Sequence, residues 1–468
     1  MSKKNIKNPT KSADFPATAA FCGEITGYTH QGLGVTRHQG RVVFVPYALK
    51  GEQAEITPTG KKKGILYGKI TKLTQSSANR TEPLCKLYTE CGGCSLQHAD
   101  YAEQLKIKEE IVRNSLERLG NLTNIAEKIK PVIGMTQPCH YRSKGVFRLS
   151  FSDGVYHLGF LAENSHTVAK SRCTLLFPSG INQILDNLEY YLNNGFQYLA
   201  EALSSVMIRT SFGKNQSMLI LFVKKSAYKP QISLSLKKIY DKLSPELPGL
   251  TVFGYSLDSG EPNPLYNNLT LLSPESVITE KLNGISYQIS PASFFQVNPE
   301  QAAKMLTYIK KQLKDRKNLQ IIDAYSGIGT IGLALAETAF GVDCIEVIPE
   351  AVKNAAKNCR INNLPNVRCH CGKAEELFHK VSRNHPDDTE KLVIVDPPRK
   401  GCHTSLLRGI LDFAPQSLIY VSCNPSTLAR DLAILQESYE ISSVQPFDMF
   451  PQSYHVETVV LMSRVDGK

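Results

Sequence analysis

Residues 318–332 read NLQIIDAYSGIGTIG, an apolar run from Asn318 to Ala324 followed by a glycine-rich turn. The run predicts a β-strand, and the turn is expected to open a helix. Glu346 ends the next predicted strand, 23 positions after Asp323 and near the offset of a ribose-binding carboxylate. Dinucleotides and S-adenosylmethionine are both bound in this way, so this stretch alone does not distinguish between them.

Two further apolar strands end in residues that can carry chemistry. One reads Ile394-Val395-Asp396-Pro397-Pro398, and the other reads Tyr420-Val421-Ser422-Cys423-Asn424-Pro425. In open α/β sheets ligands bind beyond the carboxyl ends of the strands. We therefore expect Cys423, Asp396 and the glycine turn to face one substrate in one shared cleft.

The position of Cys423 indicates which chemistry is available. A helix predicted from about Ser426 would place its positive N-terminal end beside the thiol, which is expected to lower the pKa of Cys423. Hydride transfer has no use for a thiolate here, whereas methylation of uracil C5 does, because a thiolate that adds to C6 makes C5 nucleophilic. A base must then remove the C5 proton, and Glu457 begins a predicted closing strand. An amino-group methyltransferase using Asp396 is the alternative, and it would tolerate loss of Cys423.

Charge is concentrated near the N-terminus. The chain has 468 residues, 42% of them hydrophobic, and a formal net charge of +11. Residues 1–80 contain 13 Lys or Arg and 4 Asp or Glu, so they contribute +9 of that excess. Such a patch is typical of a protein that binds a polyanion, with a solubilising tail as the alternative.

Residues 1–14 are polar and predicted to be disordered. Short strands separated by Gly, Pro and charged turns over residues 15–73 predict a small β-barrel of the OB type, with residues 61–63 (three lysines) on an exposed turn. Barrels of this size often bind oligonucleotides, although one without a ligand fits the same pattern.

The sequence has neither an apolar secretory signal after Met1 nor an apolar run that could span a bilayer. Its 12 cysteines are more plausibly thiols, metal ligands or nucleophiles than a disulfide framework. We therefore expect a cytoplasmic protein in a reducing compartment, with no membrane partner.

Three cysteines, Cys85, Cys91 and Cys94, lie within ten residues. The two-residue gap between the last two lets one loop present two thiolates to a single metal centre. Cys173 is a candidate fourth ligand and Cys139 competes with it. Ligand type alone does not separate zinc from iron-sulfur, and three unliganded buried cysteines remain an alternative.

Residues 141–287 alternate in the manner of strands around a helical piece, which predicts an α+β insert. Arg142, Lys144 and Arg148 in this insert could contact phosphates, with ordinary surface exposure as the alternative.

Several stretches together resemble the signature stretches of the RNA uracil-C5 methyltransferase family. They are residues 294–298 (FFQVN), 323–332, 396–401 (DPPRKG), 421–431 and 455–462. The N-terminal barrel resembles the TRAM domain of members that act on 23S ribosomal RNA. The cysteine run resembles their 4Fe-4S loop, with ligands at Cys85, Cys91, Cys94 and Cys173.

The resemblance implies an α/β fold in three parts. These are a TRAM-like barrel over residues 15–73, a central α+β domain over residues 74–290, and a Rossmann-like S-adenosylmethionine-dependent methyltransferase domain over residues 291–468.

The resemblance also implies roles for individual residues. Cys423 would be the nucleophile and Glu457 the proton acceptor. The methyl donor S-adenosylmethionine would be contacted by Gln296, Tyr325, Glu346 and Asp396. The expected partner is RNA, with 23S ribosomal RNA favoured and transfer RNA possible, and the expected state is a monomer. A noncatalytic RNA-binding or redox-sensing protein is the alternative from another class.

Overall fold

The structure is a computed structural model. It describes residues 19–465 except 163, 164, 166, 170–172, 174, 261–264, 266, 267 and 387, so the predicted tail over residues 1–14 lies outside it. The chain divides into two compact units after Arg80. Within the described part of the chain, no helix is long and apolar enough to cross a membrane.

The first unit is built on one six-stranded sheet. Its strands are β1 (Phe21–Glu24), β2 (Gly27–Tyr28), β3 (Gly34–His38), β4 (Arg41–Val45), β5 (Gln53–Lys62) and β6 (Ile65–Gln75). Their order is β1-β5-β6-β4-β3-β2, and only β4 and β6 are parallel. A Cβ atom on Gly23 would lie 2.8 Å from Thr36 Oγ1, so β1 and β3 approach each other although they are not neighbours in the sheet. The predicted β unit is therefore a curled sheet, and the lysines of residues 61–63 are exposed at the β5–β6 turn as predicted.

The second unit begins with the cysteine loop and the helix α1 (Tyr101–Arg118). Asp100 caps α1, because its side chain accepts the backbone N–H of Glu103 at 2.8 Å. A short 3₁₀ turn follows at Ile125–Lys128. Beyond it, single bridges join Ile129 to Val444 and Ile133 to Phe447.

A six-stranded central sheet follows, as the predicted α+β insert requires. Its strands are β7 (Lys144–Ser152), β8 (Val155–Gly159), β9 (Leu203–Thr210), β10 (Ser217–Lys224), β11 (Leu250–Asp258) and β12 (Leu269–Leu271), in the order β12-β11-β10-β9-β7-β8. The helices are α2 (Ser179–Asn193), α3 (Gln197–Ala202) and α4 (Pro230–Glu246).

Strand β10 is buried on both faces because it separates two hydrophobic cores. Met218, Ile220 and Phe222 point to the core shared with the C-terminal elements. Leu219 and Leu221 point to the core beneath the central helices. The near-continuous apolar run in this strand follows from this two-sided burial.

A hairpin of β13 (Ile278–Leu282) and β14 (Ile285–Ile289) and helix α5 (Pro299–Gln312) lead into the C-terminal sheet. That sheet has seven strands: β15 (Leu319–Ala324), β16 (Gly341–Glu346), β17 (Val367–Cys371), β18 (Glu390–Val395), β19 (Ser417–Ser422), β20 (Tyr439–Phe447) and β21 (Glu457–Arg464). The helices between them are α6 (Thr330–Leu335), α7 (Pro349–Ile361), α8 (Ala374–Ser382), α9 (Thr404–Phe413) and α10 (Pro425–Leu435).

The seven strands lie in the order β17-β16-β15-β18-β19-β21-β20, with the first five parallel and β21 antiparallel to β19. The predicted Rossmann-like α/β fold is thus confirmed. The carboxyl ends of β15, β16, β18 and β19 meet at one edge of the sheet, together with the amino end of β21. This edge holds the candidate site.

Candidate active site

One cavity of about 770 Å³ opens at this edge of the sheet. It is lined by all six residues to which the sequence assigns catalysis or donor binding: Gln296, Tyr325, Glu346, Asp396, Cys423 and Glu457. The prediction that the strand ends share one cleft is therefore confirmed. What each residue does in the cleft stays a prediction.

The glycine turn after β15 shapes one side of the cavity. Gly327 (φ 58°) and Gly329 (φ 83°) adopt left-handed backbone conformations, and so does Tyr325 (φ 64°). A Cβ atom on Gly329 would overlap Leu333, so this position needs glycine for space as well as for backbone angle. The helix α6 consequently begins only at Thr330, after the turn.

Glu346 is fixed against this turn by two backbone groups. Its Oε2 atom accepts the N–H of Gly327 at 3.0 Å, and its Oε1 atom accepts the N–H of Ile348 at 2.8 Å. Each carboxylate oxygen keeps a lone pair for a further donor. A hydroxyl-bearing ligand in the cavity can therefore donate to Glu346 without breaking the turn.

Asp323, the strand end beneath the turn, is fully buried. Its Oδ2 atom accepts the N–H of Gly332 at 2.8 Å, whereas Oδ1 has no hydrogen-bond partner. Burial raises the pKa of Asp323 to about 8, and the negative charges of Asp396 and Glu346 add to the shift.

The sequence around Cys423 explains how the thiol is held. Ser422 Oγ accepts the N–H of Asn424 at 3.1 Å, and the Asn424 side chain caps α10 by accepting the N–H of Ser426 at 3.1 Å. The same side chain donates to the carbonyl oxygen of Arg399 at 3.0 Å, joining the Asp396–Gly401 loop to the cysteine. Ser422 and Asn424 therefore fix the backbone on both sides of Cys423.

The expectation of a lowered thiol pKa is wrong for this structure. Burial raises the pKa of Cys423 to about 12, and the charges of Glu457 and Asp396 raise it further, while Arg399 opposes them. The N-terminus of α10 is close in sequence, but burial and two carboxylates outweigh its partial charge. Cys423 is therefore predominantly a neutral thiol at pH 7 in this state.

Glu457 is only 2% exposed. Burial raises its pKa well above the ordinary value; Asp396 adds to the shift and Arg399 opposes it. Burial also raises the pKa of Asp396 to about 7. A raised pKa makes the ionised carboxylate a stronger base, which suits a group that accepts a proton from carbon.

The structure adds residues to the site that the sequence did not assign. Phe294 lines the cavity with 63% of its surface exposed, next to the buried Phe295. Phe450 and Arg399 also line the cavity, and Arg399 is the cation that opposes the carboxylates. In the sequence Phe294 and Phe295 read as one aromatic pair, and such pairs are more often part of the core. Only the exposure of Phe294 distinguishes it from the buried Phe295.

His455 lies beside Phe450, with 5.8 Å between ring centroids, and contacts Tyr454 with tilted rings 4.2 Å apart. Burial lowers the pKa of His455 to about 4, helped by the charges of Arg399, Lys108 and Arg142. His455 is therefore neutral at pH 7.

The segment of residues 448–455, which connects β20 to β21, is held by helix α1. Lys108 Nζ forms a buried ion pair with Asp448 and donates to the carbonyl oxygen of Phe450 at 3.0 Å. The Tyr101 hydroxyl donates to Asp448 Oδ2 at 2.8 Å. Because Phe450 lines the cavity, α1 supports one wall of the site.

The cysteine loop is joined to the same segment. The backbone N–H groups of Ser95 and Leu96 donate to the carbonyl oxygen of Gln452 at 2.9 and 3.0 Å. Gln452 has a left-handed backbone (φ 70°). Its side-chain Oε1 accepts from Gln104 Nε2 at 3.0 Å, and its backbone N–H donates to Gln104 Oε1 at 3.1 Å. Because Gln452 lies five residues before Glu457, the segment that contacts the cysteine loop also leads directly to the predicted base.

The predicted ligand cysteines influence each other's ionisation. The pKa of Cys94 is raised to about 12 by burial and by the charges of Cys173, Cys91 and Cys85. Burial and the charges of Cys91 and Cys85 raise that of Cys173 to about 11. Burial alone raises the pKa of Cys139.

Among the residues that the structure describes, no group of three or more His, Cys, Asp or Glu side chains is arranged to hold a metal ion. The iron-sulfur ligand set stays a prediction.

The family model described as tRNA (uracil-5-)-methyltransferase matches residues 100–465. An uncharacterised RNA methyltransferase of Clostridium acetobutylicum is 34% identical over 450 residues, covering 94% of this chain and 96% of the relative. One from Oceanobacillus iheyensis is 35% identical over 440 residues, covering 92% and 94%.

Among solved structures, the Pyrococcus abyssi tRNA (uracil-54, C5)-methyltransferase in complex with S-adenosyl-L-homocysteine matches with a TM-score of 0.70. It is 24% identical to this chain, and the match covers 94% of this chain and 99% of that one. This similarity shows that the two proteins share a fold.

Proposed function

The chain belongs to the tRNA (uracil-5-)-methyltransferase family and is an RNA (uracil-C5)-methyltransferase that uses S-adenosylmethionine; from this premise we propose that it works through a covalent bond between Cys423 and uracil C6. One observation carries the proposal. Ser422 pairs with Thr458 across β19 and β21, which brings Cys423 and Glu457 opposite each other in the cavity that Asp396 and the glycine turn also line. An amino-group methyltransferase would have no use for this pair.

The residues of the chain would act in sequence. Cys423 first loses its proton to solvent, and its sulfur then forms a bond to C6 while the C5–C6 double-bond electrons move onto C5 and O4. When bound, S-adenosylmethionine would supply the electrophilic methyl group that C5 takes up and would leave as S-adenosylhomocysteine. Glu457 then accepts the C5 proton, the electrons of the C5–H bond restore the double bond, and the C6–sulfur bond breaks to release Cys423 as a thiolate.

We assign the donor site to Gln296, Tyr325, Glu346 and Asp396. Glu346 supports this assignment because its two oxygens are oriented by backbone N–H groups and keep lone pairs for ribose hydroxyls. The cavity of about 770 Å³ is within the usual range for such ligands.

The target base would stack on Phe294, the exposed aromatic ring at the cavity. A base must leave its own stack to reach Cys423, which costs a few kcal/mol in a duplex and so favours unpaired loops. We propose 23S ribosomal RNA as the substrate, on the resemblance of the N-terminal sheet and cysteine loop to members that act on that RNA. Transfer RNA, the substrate named for the Pyrococcus abyssi protein, is the second candidate.

We also propose a 4Fe-4S cluster held by Cys85, Cys91, Cys94 and Cys173. In such a cluster each thiolate binds a different iron, so the sulfurs lie farther apart than around a single ion. The assignment comes from the resemblance, and the mutual influence of these thiols on their pKa values supports it. We propose a reducing cytoplasmic compartment, because 12 cysteines in a chain of this kind are typical of thiols and metal ligands. We propose a monomer, since the predicted site is complete within one chain.

Two variants test the covalent route. Cys423→Ala should abolish methyl transfer to RNA, whereas Glu457→Gln should accumulate a protein–RNA adduct on ordinary uridine, because the C5 proton has no acceptor. The matched control is Cys371→Ala, an exposed cysteine outside the cavity, which should retain activity. Methyl transfer by Cys423→Ala at the wild-type rate would exclude the covalent route.

The substrate is tested separately by mapping 5-methyluridine in ribosomal and transfer RNA from cells with and without the protein. Loss of the modification from 23S RNA alone is the expected result. Loss of 5-methyluridine from transfer RNA alone would show that transfer RNA, and not 23S ribosomal RNA, is the substrate.

A further inference from the structure

Three cations lie together beside the cavity without being part of its lining. Lys144 on β7 is the direct register partner of Arg209 on β9. Arg142, two residues before Lys144, donates its Nε–H to the carbonyl oxygen of Lys144 at 3.2 Å. Like charges directly opposite each other on neighbouring strands destabilise a sheet unless something offsets their repulsion. We refer to these three residues as the cationic cluster.

Arg209 is the unusual member. It is only 3% exposed, its Nη1 atom is buried without a hydrogen-bond partner, and no ion pair within the described residues includes it. Burial lowers the pKa of Arg209 to about 10, with Glu280 opposing the shift. Burial and the charges of Arg209 and Arg142 lower the pKa of Lys144 to about 7. A buried guanidinium with an unused donor is costly in the absence of an acceptor.

Glu280, the carboxylate that influences Arg209, is already engaged. It accepts the backbone N–H groups of Phe212 and Gly213, both at 2.7 Å, and that of Lys281 at 3.1 Å. These bonds hold the side chain of Glu280, which is on β13, against the loop after β9. Arg209 therefore lacks a hydrogen-bonded carboxylate among the described residues, and because Nη1 is fully buried, an anion outside the protein acts on Arg209 through its charge.

The cationic cluster borders the active-site cleft. The N–H of Ser143, between Arg142 and Lys144, donates to the carbonyl oxygen of Val297 at 2.7 Å, one residue after Gln296. The hydroxyl of the preceding Tyr141 donates to the carbonyl oxygen of Pro451, in the 448–455 segment, at 3.0 Å. One short stretch of chain thus joins two walls of the cleft and carries two of the cations.

We propose that the cationic cluster binds a backbone phosphate of the substrate RNA, next to the nucleotide whose base enters the cleft, with Arg142 and Lys144 in contact with the phosphate and the buried Arg209 adding its charge. The inference rests on the proposed function, because that function places an RNA strand at this opening. A phosphate held by Arg142 and Lys144 brings negative charge beside Arg209 and offsets the repulsion between Lys144 and Arg209. Arg148, farther along the same strand, is exposed and is not required.

RNA affinity tests the proposal. The probe is an unmodified transcript of a 23S ribosomal RNA segment, titrated by fluorescence anisotropy without S-adenosylmethionine, with Arg209→Met, Lys144→Gln and the wild-type protein. We expect each variant to raise Kd about ten- to hundredfold, the usual range when an interaction with a charged group is lost. The slope of log K against log salt should become shallower by about 0.7 for each lost phosphate contact on a single strand. The control is Lys237→Gln, a half-exposed lysine on α4 that changes net charge equally and should leave Kd within about twofold.

Thermal unfolding separates binding from a structural role. If Arg209 is kept for RNA, Arg209→Met without RNA should unfold at the same or a higher temperature than the wild-type protein, because an unpaired buried cation has been removed. A lower Tm with unchanged RNA affinity, or wild-type affinity in both variants, would overturn the proposal. Lys144→Gln decides the result if Arg209→Met does not fold. Failure of the proposed function is recognised separately, as the absence of 5-methyluridine when the wild-type protein receives transcript and donor.

Discussion

Cys423 and Glu457 lie opposite each other across an antiparallel ladder, one position beyond the paired residues Ser422 and Thr458. The strand that carries the thiol and the strand that carries the buried carboxyl are neighbours, although 34 residues separate them in the chain. The two groups repel each other when both are ionised, and Glu457 therefore helps to raise the pKa of Cys423. A nucleophile and an acceptor that act on neighbouring carbons of one small ring must be held close together in this way.

The first prediction concerns the ionisation of Cys423. Its pKa is raised to about 12, so the alkylation of Cys423 by iodoacetamide should become faster throughout the range from pH 7 to pH 10. The rise should be roughly tenfold per pH unit, because only the thiolate reacts. The rate is measured by mass spectrometry of the Cys423 peptide, with exposed Cys371 as an internal control for the reagent.

Glu457→Gln should move this profile to lower pH, because it removes a negative charge that raises the pKa of the thiol. A wild-type profile that reaches a plateau near pH 7 would show instead that the helix N-terminus controls the thiol.

The second prediction concerns the support from α1. Lys108→Met should lower the free energy of unfolding by about 3–5 kcal/mol, because Asp448 is then buried without its cation. Urea denaturation measures the change. Adding Asp448→Asn to Lys108→Met should recover part of the loss, since the uncompensated charge is gone. A Lys108→Met protein as stable as the wild type would show that the pair contributes nothing.

The third prediction concerns pH and stability. The pKa of Asp323 is raised to about 8 in the folded protein, from an unfolded value near 3.8. The folded state therefore binds the extra proton between these values, and the contribution of Asp323 to stability is lost as pH rises from about 4 to about 8. Asp323→Asn keeps an acceptor for Gly332 and cannot ionise.

Relative to Asp323→Asn, the wild-type protein should lose roughly 1–3 kcal/mol of unfolding free energy between pH 5 and pH 8. Asp412→Asn, at an exposed position on α9, is the control and should show no such divergence. Parallel pH profiles for wild type and Asp323→Asn would refute the raised pKa.

The fourth prediction concerns the cysteine loop. Cys94→Ser and Cys173→Ser should lose bound iron and visible absorbance and unfold at lower temperature, because the loop donates two hydrogen bonds to Gln452. RNA affinity should fall before the calorimetric affinity for S-adenosylmethionine changes. Cys139→Ser should keep its iron, since Cys139 shows no influence from the other thiols. Iron loss in Cys139→Ser, or an early loss of donor binding, would contradict this arrangement.

The parts of the fold that follow from local patterns could be predicted from the sequence. The apolar runs before Asp323, Asp396 and Cys423 are strands, and the strand rule alone brings their ends together in one cavity. The glycine turn could also be predicted, because the left-handed backbone angles that require glycine follow from the local sequence. The closing strand that begins at Glu457 was also found at the expected place.

The electrostatics of the site could not be predicted, because they depend on groups that the fold brings together. The helix after Cys423 was visible in the sequence, whereas the burial of the thiol and its nearness to Glu457 and Asp396 were not. Lys108 and Asp448 are 340 positions apart, and no periodicity marks them as partners. Arg209 reads as one polar residue in a strand, and only its burial opposite Lys144 makes it notable.

The covalent step is tested most directly with an RNA that carries 5-fluorouridine at the target position, incubated with the protein and S-adenosylmethionine. Fluorine at C5 cannot be removed as a proton, so the sulfur–C6 bond should persist, and mass spectrometry should locate the cross-link at Cys423. Cys423→Ser should show no such cross-link. Methylation of ordinary RNA by a protein that never becomes cross-linked at Cys423 would contradict the mechanism.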